Sequence, residues 1–152
     1  MNNKMICIGF EAAHRYIRIA TEAYYMARVQ YDTIQGNNYV YSEQTRDAEE
    51  KIKDYTATCV VFSAMTNELI INDYLACYFG DKVFNKKYER LAFLQKYRAI
   101  ENDIFHYKNE NCFAKLKKLN NIRRQYVHSK SEDTIMAIDE YIELFKRFKD
   151  EE

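Results

Sequence analysis

The sequence contains no proline and only three glycines, Gly9, Gly36 and Gly80. Domains rich in β-structure need many tight turns, and tight turns depend on glycine and proline. Their scarcity argues against such a fold and favours long helices joined by few connections. A chain of 152 residues is long enough to bury a real hydrophobic core. We therefore expect one all-α domain over residues 1–152.

An excess of charge of either sign is also lacking, because 23 basic residues balance 23 acidic ones. This balance argues against a protein that binds DNA through its overall positive charge. Apolar residues make up 47% of the chain and charged residues 30%, which predicts a globular rather than a disordered protein.

Cysteine patterns typical of zinc sites or dense disulfide frameworks are missing as well. The four cysteines are far apart, with no C-x-x-C pair: Cys7, Cys59, Cys77 and Cys112. This spacing indicates reduced thiols in a cytoplasmic protein.

Neither a signal peptide nor a membrane span is expected. The first 17 residues, "MNNKMICIGFEAAHRYI", lack the apolar core of a signal peptide. The longest apolar region, residues 57–79, carries four polar residues at its centre: Asn67, Glu68, Asn72 and Asp73. Charged groups at that depth in a bilayer are costly, so a buried helix of a soluble protein is the better interpretation.

Apolar residues recur at three- and four-residue steps along most of the chain. They predict helices over about residues 4–35, 46–79, 82–108, 110–128 and 132–149. We expect Ser42 or Thr45 to cap the second helix, and Gly36 and Gly80 to end the first two in the left-handed C′ conformation. The third helix could break near Arg98. The expected architecture is a four- to five-helix up-down bundle.

A local basic surface stands out near the end of the chain. No acidic residue occurs between Asn111 and Ser131. The same window holds six cations: Lys115, Lys117, Lys118, Arg123, Arg124 and Lys130. Such a surface suits phosphate groups, which arginine can grip through two parallel hydrogen bonds. The alternative is a solvated helix face with no ligand.

His128 adds a proton carrier to this surface. Arg124 and His128 are four residues apart and share a helix face. Arg123 and His128 are five apart, or about 140° around an ideal helix. These two could meet one ligand only if the helix loosens near its end or the ligand reaches across. A histidine at a helix C-terminus is favoured in its protonated form, so a proton carrier beside a fixed cation is a minimal set for phosphoryl chemistry.

The segment "IRRQYVHSK" resembles the R-x4-H signature of the HEPN domains (higher eukaryote and prokaryote nucleotide-binding). Arg123 takes the arginine position and His128 the histidine position. The segment "FSAMTNELIINDYL" is similar to the second helix of that superfamily, where an acidic residue stands in an apolar helix, and Glu68 is the match. The order of the predicted helices also agrees with the family.

The resemblance implies metal-independent RNA cleavage by a homodimer in which two R-x4-H motifs face a shared cleft. His128 would move the proton of a ribose 2′-hydroxyl or of the leaving oxygen, and Arg123 would stabilise transition-state charge. The products would be a cyclic phosphate end and a free 5′-hydroxyl. The lysines of the basic window would bind RNA, Tyr126 could stack on a base, and Glu68 and Arg124 would support the site.

Two positions depart from the family pattern. Arg124 follows the motif arginine where cleaving members usually have a polar, often Asn-like residue. Lys130 stands where the toxins controlled by a nucleotidyltransferase antitoxin have a tyrosine, which argues against control by modification of that tyrosine. A second interpretation therefore stays open, a degenerate HEPN domain that binds a nucleotide or protein without cleaving. A toxin-like effector could also have a cognate antitoxin or regulatory protein.

Glu68 and the remaining histidines complete the candidates. A carboxylate in an apolar helix, if buried, would need a partner such as Arg123 or Arg124. The motifs Glu11-x-x-His14 and Asp103-x-x-His106 resemble half of a ferritin-like di-metal site, for which Glu68 is the obvious extra ligand. The set of ligands is incomplete, so we expect no bound metal and no cofactor.

Overall fold

The computed structural model describes residues 3–36 and 42–128, with side chains described over 11–36 and 42–126. The helices are α1 (Asn3–Gly36), α2 (Glu43–Phe79), α3 (Asp81–Val83), α4 (Phe93–Ile100) and α5 (Glu110–His128), and two π-helical turns cover Phe84–Tyr88 and Glu101–Phe105. Every regular element in these two ranges is helical, which confirms the predicted all-α bundle. The helix predicted over 132–149 lies outside the described residues.

Helices α1 and α2 form a long antiparallel pair. Small side chains of α1 make close approach possible, and four of its alanines are buried: Ala13, Ala20, Ala23 and Ala27. Near one end of the pair, Ile34 clusters with Ala48 and Ile52 of α2. Further along, the Tyr16 ring meets the Phe62 ring edge-on at 5.4 Å between centroids. The buried alanines thus allow α1 and α2 to pack closely along their length.

The two ends of α2 are set by local sequence. Ser42 is the N-cap: its Oγ accepts a hydrogen bond from the Thr45 N–H at 3.1 Å, and the Thr45 Oγ1 accepts from the Ser42 N–H at 2.8 Å. Gly80 ends the helix with φ of 80°, a backbone conformation that favours glycine, and its N–H donates to the Ala76 carbonyl. Gly36 has no positive φ and is the last residue of α1, so its predicted left-handed conformation is wrong.

The segment after α2 differs from the single helix predicted over 82–108. The helical structure is interrupted at residues 89–92. Arg98, where a break in the helix was predicted, lies within α4. Tyr88 is buried at the break, and its Oη donates to the Asp103 carboxylate at 2.8 Å. His106, with φ of 52°, ends the second π-helical turn. Contacts between residues distant in sequence, rather than glycine or proline, therefore shape this segment.

Helix α5 returns along α2 and closes the described part of the bundle. The core beneath α4 is formed by Ile71, Leu75, Tyr88 and Ile100. Tyr97 of α4 packs on that core and also contacts Phe113 in the first turn of α5, whereas Arg123 near the end of α5 reaches back to Glu68. Helix α5 thus runs antiparallel to α2. No helix in residues 3–36 or 42–128 is long and apolar enough to cross a membrane.

Candidate functional site

Helix α5 is held at its start by a buried acidic side chain. The Glu101 Oε1 accepts a hydrogen bond from the Asn109 N–H at 2.7 Å. Asn109 in turn caps the helix, because its Oδ1 accepts from the Cys112 N–H at 3.0 Å. The position of the basic window relative to the bundle is therefore fixed from the N-terminal end of α5.

One side of α5 packs on the bundle and the other faces solvent. Leu116 is buried, and Leu119 and Ile122 are half-buried. On the opposite side, Lys117, Asn121 and Arg124 are exposed. At about 100° per residue, these three and position 128 fall within about 60° of one another. We call these four positions the basic stripe.

Arg123 does not lie on the basic stripe. Its Nη1 donates to the Glu68 Oε2 at 3.2 Å, and this ion pair joins α5 to α2. The side chains are 31% and 37% exposed, so solvent screens the pair and its contribution to stability should be about 0–1 kcal/mol. The predicted partnership of Glu68 with one of the two arginines is present, although Glu68 is half-buried rather than buried.

The two arginines also differ in their angular position around the helix relative to residue 128. Helix α5 remains regular through His128. The backbone of residue 128 therefore lies about 140° around the helix from Arg123, but only about 40° from Arg124. The loosening of the helix that would bring Arg123 and His128 to one side is not seen up to residue 128. The side chain of His128 lies outside the described residues.

The other predicted contacts with RNA occupy different sides of α5. Lys115, Lys117 and Lys118 are all exposed. Tyr126 is half-buried and follows Arg123 by three residues, so it lies on the side that packs against the bundle. Lys130 lies outside the described residues. Among the predicted residues, the structure thus aligns Lys117 and Arg124 with position 128.

Sequence reasoning missed an ionic cluster around Arg98. Its Nη1 donates to the Glu101 Oε2 at 2.6 Å and its Nη2 to the Glu110 Oε2 at 2.7 Å. The guanidinium also lies 3.6 Å from the centre of the Phe113 ring. The i, i+3 spacing of Arg98 and Glu101 was a usable signal, but the burial of Glu101 was not visible in the sequence. The cluster links α4 to α5 and supports the position of the basic stripe.

A buried lysine was also missed. Lys96 is 6% exposed, and its Nζ donates to the Asn72 Oδ1 at 2.9 Å. The same ammonium lies 5.7 Å from the centre of the Phe84 ring. Lys96 thus fixes α4 on α2, and the apolar periodicity of α4 gave no indication that a lysine was buried there.

The candidate metal ligands are not gathered into one site. Asp103 accepts hydrogen bonds from Lys87 and Tyr88, and the Lys87 ammonium holds the pKa of that carboxyl below its usual range. The His106 Nδ1 lies 2.8 Å from the Asn102 carbonyl oxygen. In the part of the chain that the structure describes, no three or more His, Cys, Asp or Glu side chains could hold a metal ion together.

Comparison with models of protein families, with curated proteins and with solved structures found no significant match. The HEPN resemblance, which lies in two motif segments of the sequence, stays a prediction. Those segments are 55 residues apart at Glu68 and Arg123, and the ion pair between these two residues brings them together.

Proposed function

We propose that this protein is a metal-independent RNA endonuclease of the HEPN type, or a toxin-like effector with that activity, acting as a homodimer. The ion pair between Arg123 and Glu68 carries the proposal, because it joins the two segments that resemble the family. The exposed cations of α5 add a surface suited to a phosphate backbone.

The proposed reaction is an internal transesterification of RNA. The ribose 2′-oxygen forms a bond to the neighbouring phosphorus, and the bond from phosphorus to the 5′-oxygen breaks. The proton lost from the 2′-hydroxyl is matched by the proton gained at the 5′-oxygen, so no further reactant is needed. His128 carries the proton at one of these two atoms, and an arginine of α5 stabilises the negative charge that develops at the phosphate.

A direct test measures cleavage of labelled single-stranded and transfer RNAs in EDTA, with end-group analysis of the products. We expect cyclic phosphate and 5′-hydroxyl ends. His128→Ala should lower the rate about 10²–10⁴-fold, the usual value of general acid–base catalysis. His14→Ala, which removes an exposed histidine of α1, is the matched control and should leave the rate unchanged. Full activity of His128→Ala would overturn the proposed role of that residue.

A second function is favoured by one observation. Position 128 and Arg123 lie on different sides of a regular helix, and Arg123 is already paired with Glu68. A degenerate HEPN domain that binds RNA, a nucleotide or a protein partner, such as an antitoxin, fits this arrangement without any cleavage. Wild-type protein that binds the RNA probes but cleaves none of them would favour this binding function.

A further inference from the structure

The two adjacent arginines of α5 are in different environments. Arg123 donates to a carboxylate of α2 at 3.2 Å and is 31% exposed. Arg124 is exposed and has no ion-pair partner among the side chains described over residues 11–36 and 42–126. A phosphate that approached Arg123 would compete with Glu68 for the guanidinium, whereas a phosphate at Arg124 would meet a cation that is open to solvent.

The positions of the two arginines around and along α5 distinguish them in the same way. Arg124 precedes position 128 by four residues, which is about 6 Å along the axis and about 40° around it. Lys117 precedes Arg124 by seven residues, or about 10 Å, on the same side. A polyanion lying along the basic stripe would therefore pass Lys117, Asn121 and Arg124 before reaching position 128. Arg123 lies about 140° from position 128.

We infer that Arg124, rather than Arg123, is the arginine that contacts the RNA phosphate beside His128. Arg123 is a positioning residue, because its ion pair with Glu68 holds the end of α5 against α2. This division of roles depends on the proposed function for its catalytic part, but the RNA contact itself does not require cleavage. Lys117 and Asn121 extend the contact along the strand.

The first experiment separates the two arginines by binding. The probe is a fluorescent single-stranded RNA 12-mer with a 2′-O-methyl group at every position, which cannot undergo transesterification. Arg124→Ala should weaken binding. It should also make the negative slope of log K against log salt shallower by about one, as expected for the loss of one phosphate contact. Lys117→Ala should do the same. Lys82→Ala, which removes an exposed lysine of α3 outside the basic window, is the matched control and should leave the slope unchanged.

The second experiment tests the positioning role of Arg123. A double-mutant cycle of Arg123→Ala and Glu68→Ala, measured by urea unfolding, should give non-additive effects on the free energy of unfolding. The cycle of Arg124→Ala with Glu68→Ala should be additive. Arg123→Ala should also leave the salt dependence of RNA binding unchanged, whereas removal of a residue that contacts phosphate would weaken that dependence.

The third experiment measures cleavage by the same variants. Arg124→Ala should lower the rate about 10²–10³-fold without changing the melting temperature, and Arg124→Lys should restore part of the rate. The inference is overturned, with the proposed function intact, if Arg123→Ala produces this loss and Arg124→Ala does not. If the wild type cleaves no RNA, the proposed function fails. The binding results then decide the RNA contact separately, and an unchanged salt slope in Arg124→Ala overturns it.

Discussion

At the scale of single residues, Glu101 has the lowest exposure among the charged residues in the described part of the chain, at 2%. It accepts from the Arg98 guanidinium with one oxygen and from the Asn109 N–H with the other. Both of its oxygens thus have donors, as a buried carboxylate requires. Because Asn109 caps α5, the buried Glu101 also helps to fix the position of α5 and of the candidate site on it.

We expect Glu101→Gln to destabilise the fold by about 3 kcal/mol, the lower end of the range for breaking a buried ion pair. The new amide would place an N–H group against a donor. Glu110→Gln is the matched control, because Glu110 bonds to the same arginine but is 68% exposed, and it should cost about 0–1 kcal/mol. Urea unfolding measures both. Equal effects of the two substitutions would contradict the assigned role of burial.

At the scale of elements, the sequence predicted the long helices well and the middle segment poorly. The bounds expected for the first, second and fourth helices differ from those of α1, α2 and α5 by at most three residues. Their apolar periodicity is long, and Ser42 and Gly80 give local signals at the ends of α2. The irregular segment between α2 and α5 depends on Tyr88 and Lys96, whose partners Asp103 and Asn72 are 15 and 24 residues away. A local pattern does not contain such contacts.

The candidate site shows the same limit. The pairing of Glu68 with an arginine was predictable, since a carboxylate in an apolar helix needs a partner. Which of two adjacent arginines would pair was not predictable, because that depends on how α5 rotates as it packs on α2. The anchoring of α5 by Glu101 and Arg98 was missed for a related reason, as it requires α4 to be placed first.

The N-terminus of α2 allows a direct test of whether the local sequence sets the end of a helix. Ser42→Ala removes the acceptor for the Thr45 N–H and should cost about 0.5–2 kcal/mol in the free energy of unfolding. Ser42→Asp retains an acceptor at the same position and should stay close to wild type. Thermal and urea unfolding of the three proteins measure the difference. A loss in Ser42→Asp as large as that in Ser42→Ala would show that the cap is not the cause.

At the scale of the whole molecule, α2 leaves apolar side chains exposed. Ile70, Tyr74 and Tyr78 repeat at four-residue steps and are 52%, 41% and 60% exposed, and the Tyr74 ring contacts the exposed Phe105. Around α2, Ile70 lies about 200° from Glu68 and Tyr74 about 240°, whereas Tyr78 lies about 280°, which is about 80° on the other side. Ile70 and Tyr74 therefore face away from the contact of Glu68 with α5, and burying Ile70 against a second copy would not bring two copies of the R-x4-H segment together.

The proposed homodimer can thus be tested together with its geometry. The R-x4-H motif supplies only one Arg and one His from each chain, which is a sparse site, and a two-fold axis near the end of α5 would double it. Light scattering at micromolar concentration should give twice the mass of 18.3 kDa. Ile70→Lys should leave the dimer intact, because Ile70 is exposed and faces away from the contact of Glu68 with α5. A monomeric wild type would contradict the dimer, and dissociation by Ile70→Lys would place the interface on this side of α2 and exclude a shared R-x4-H cleft.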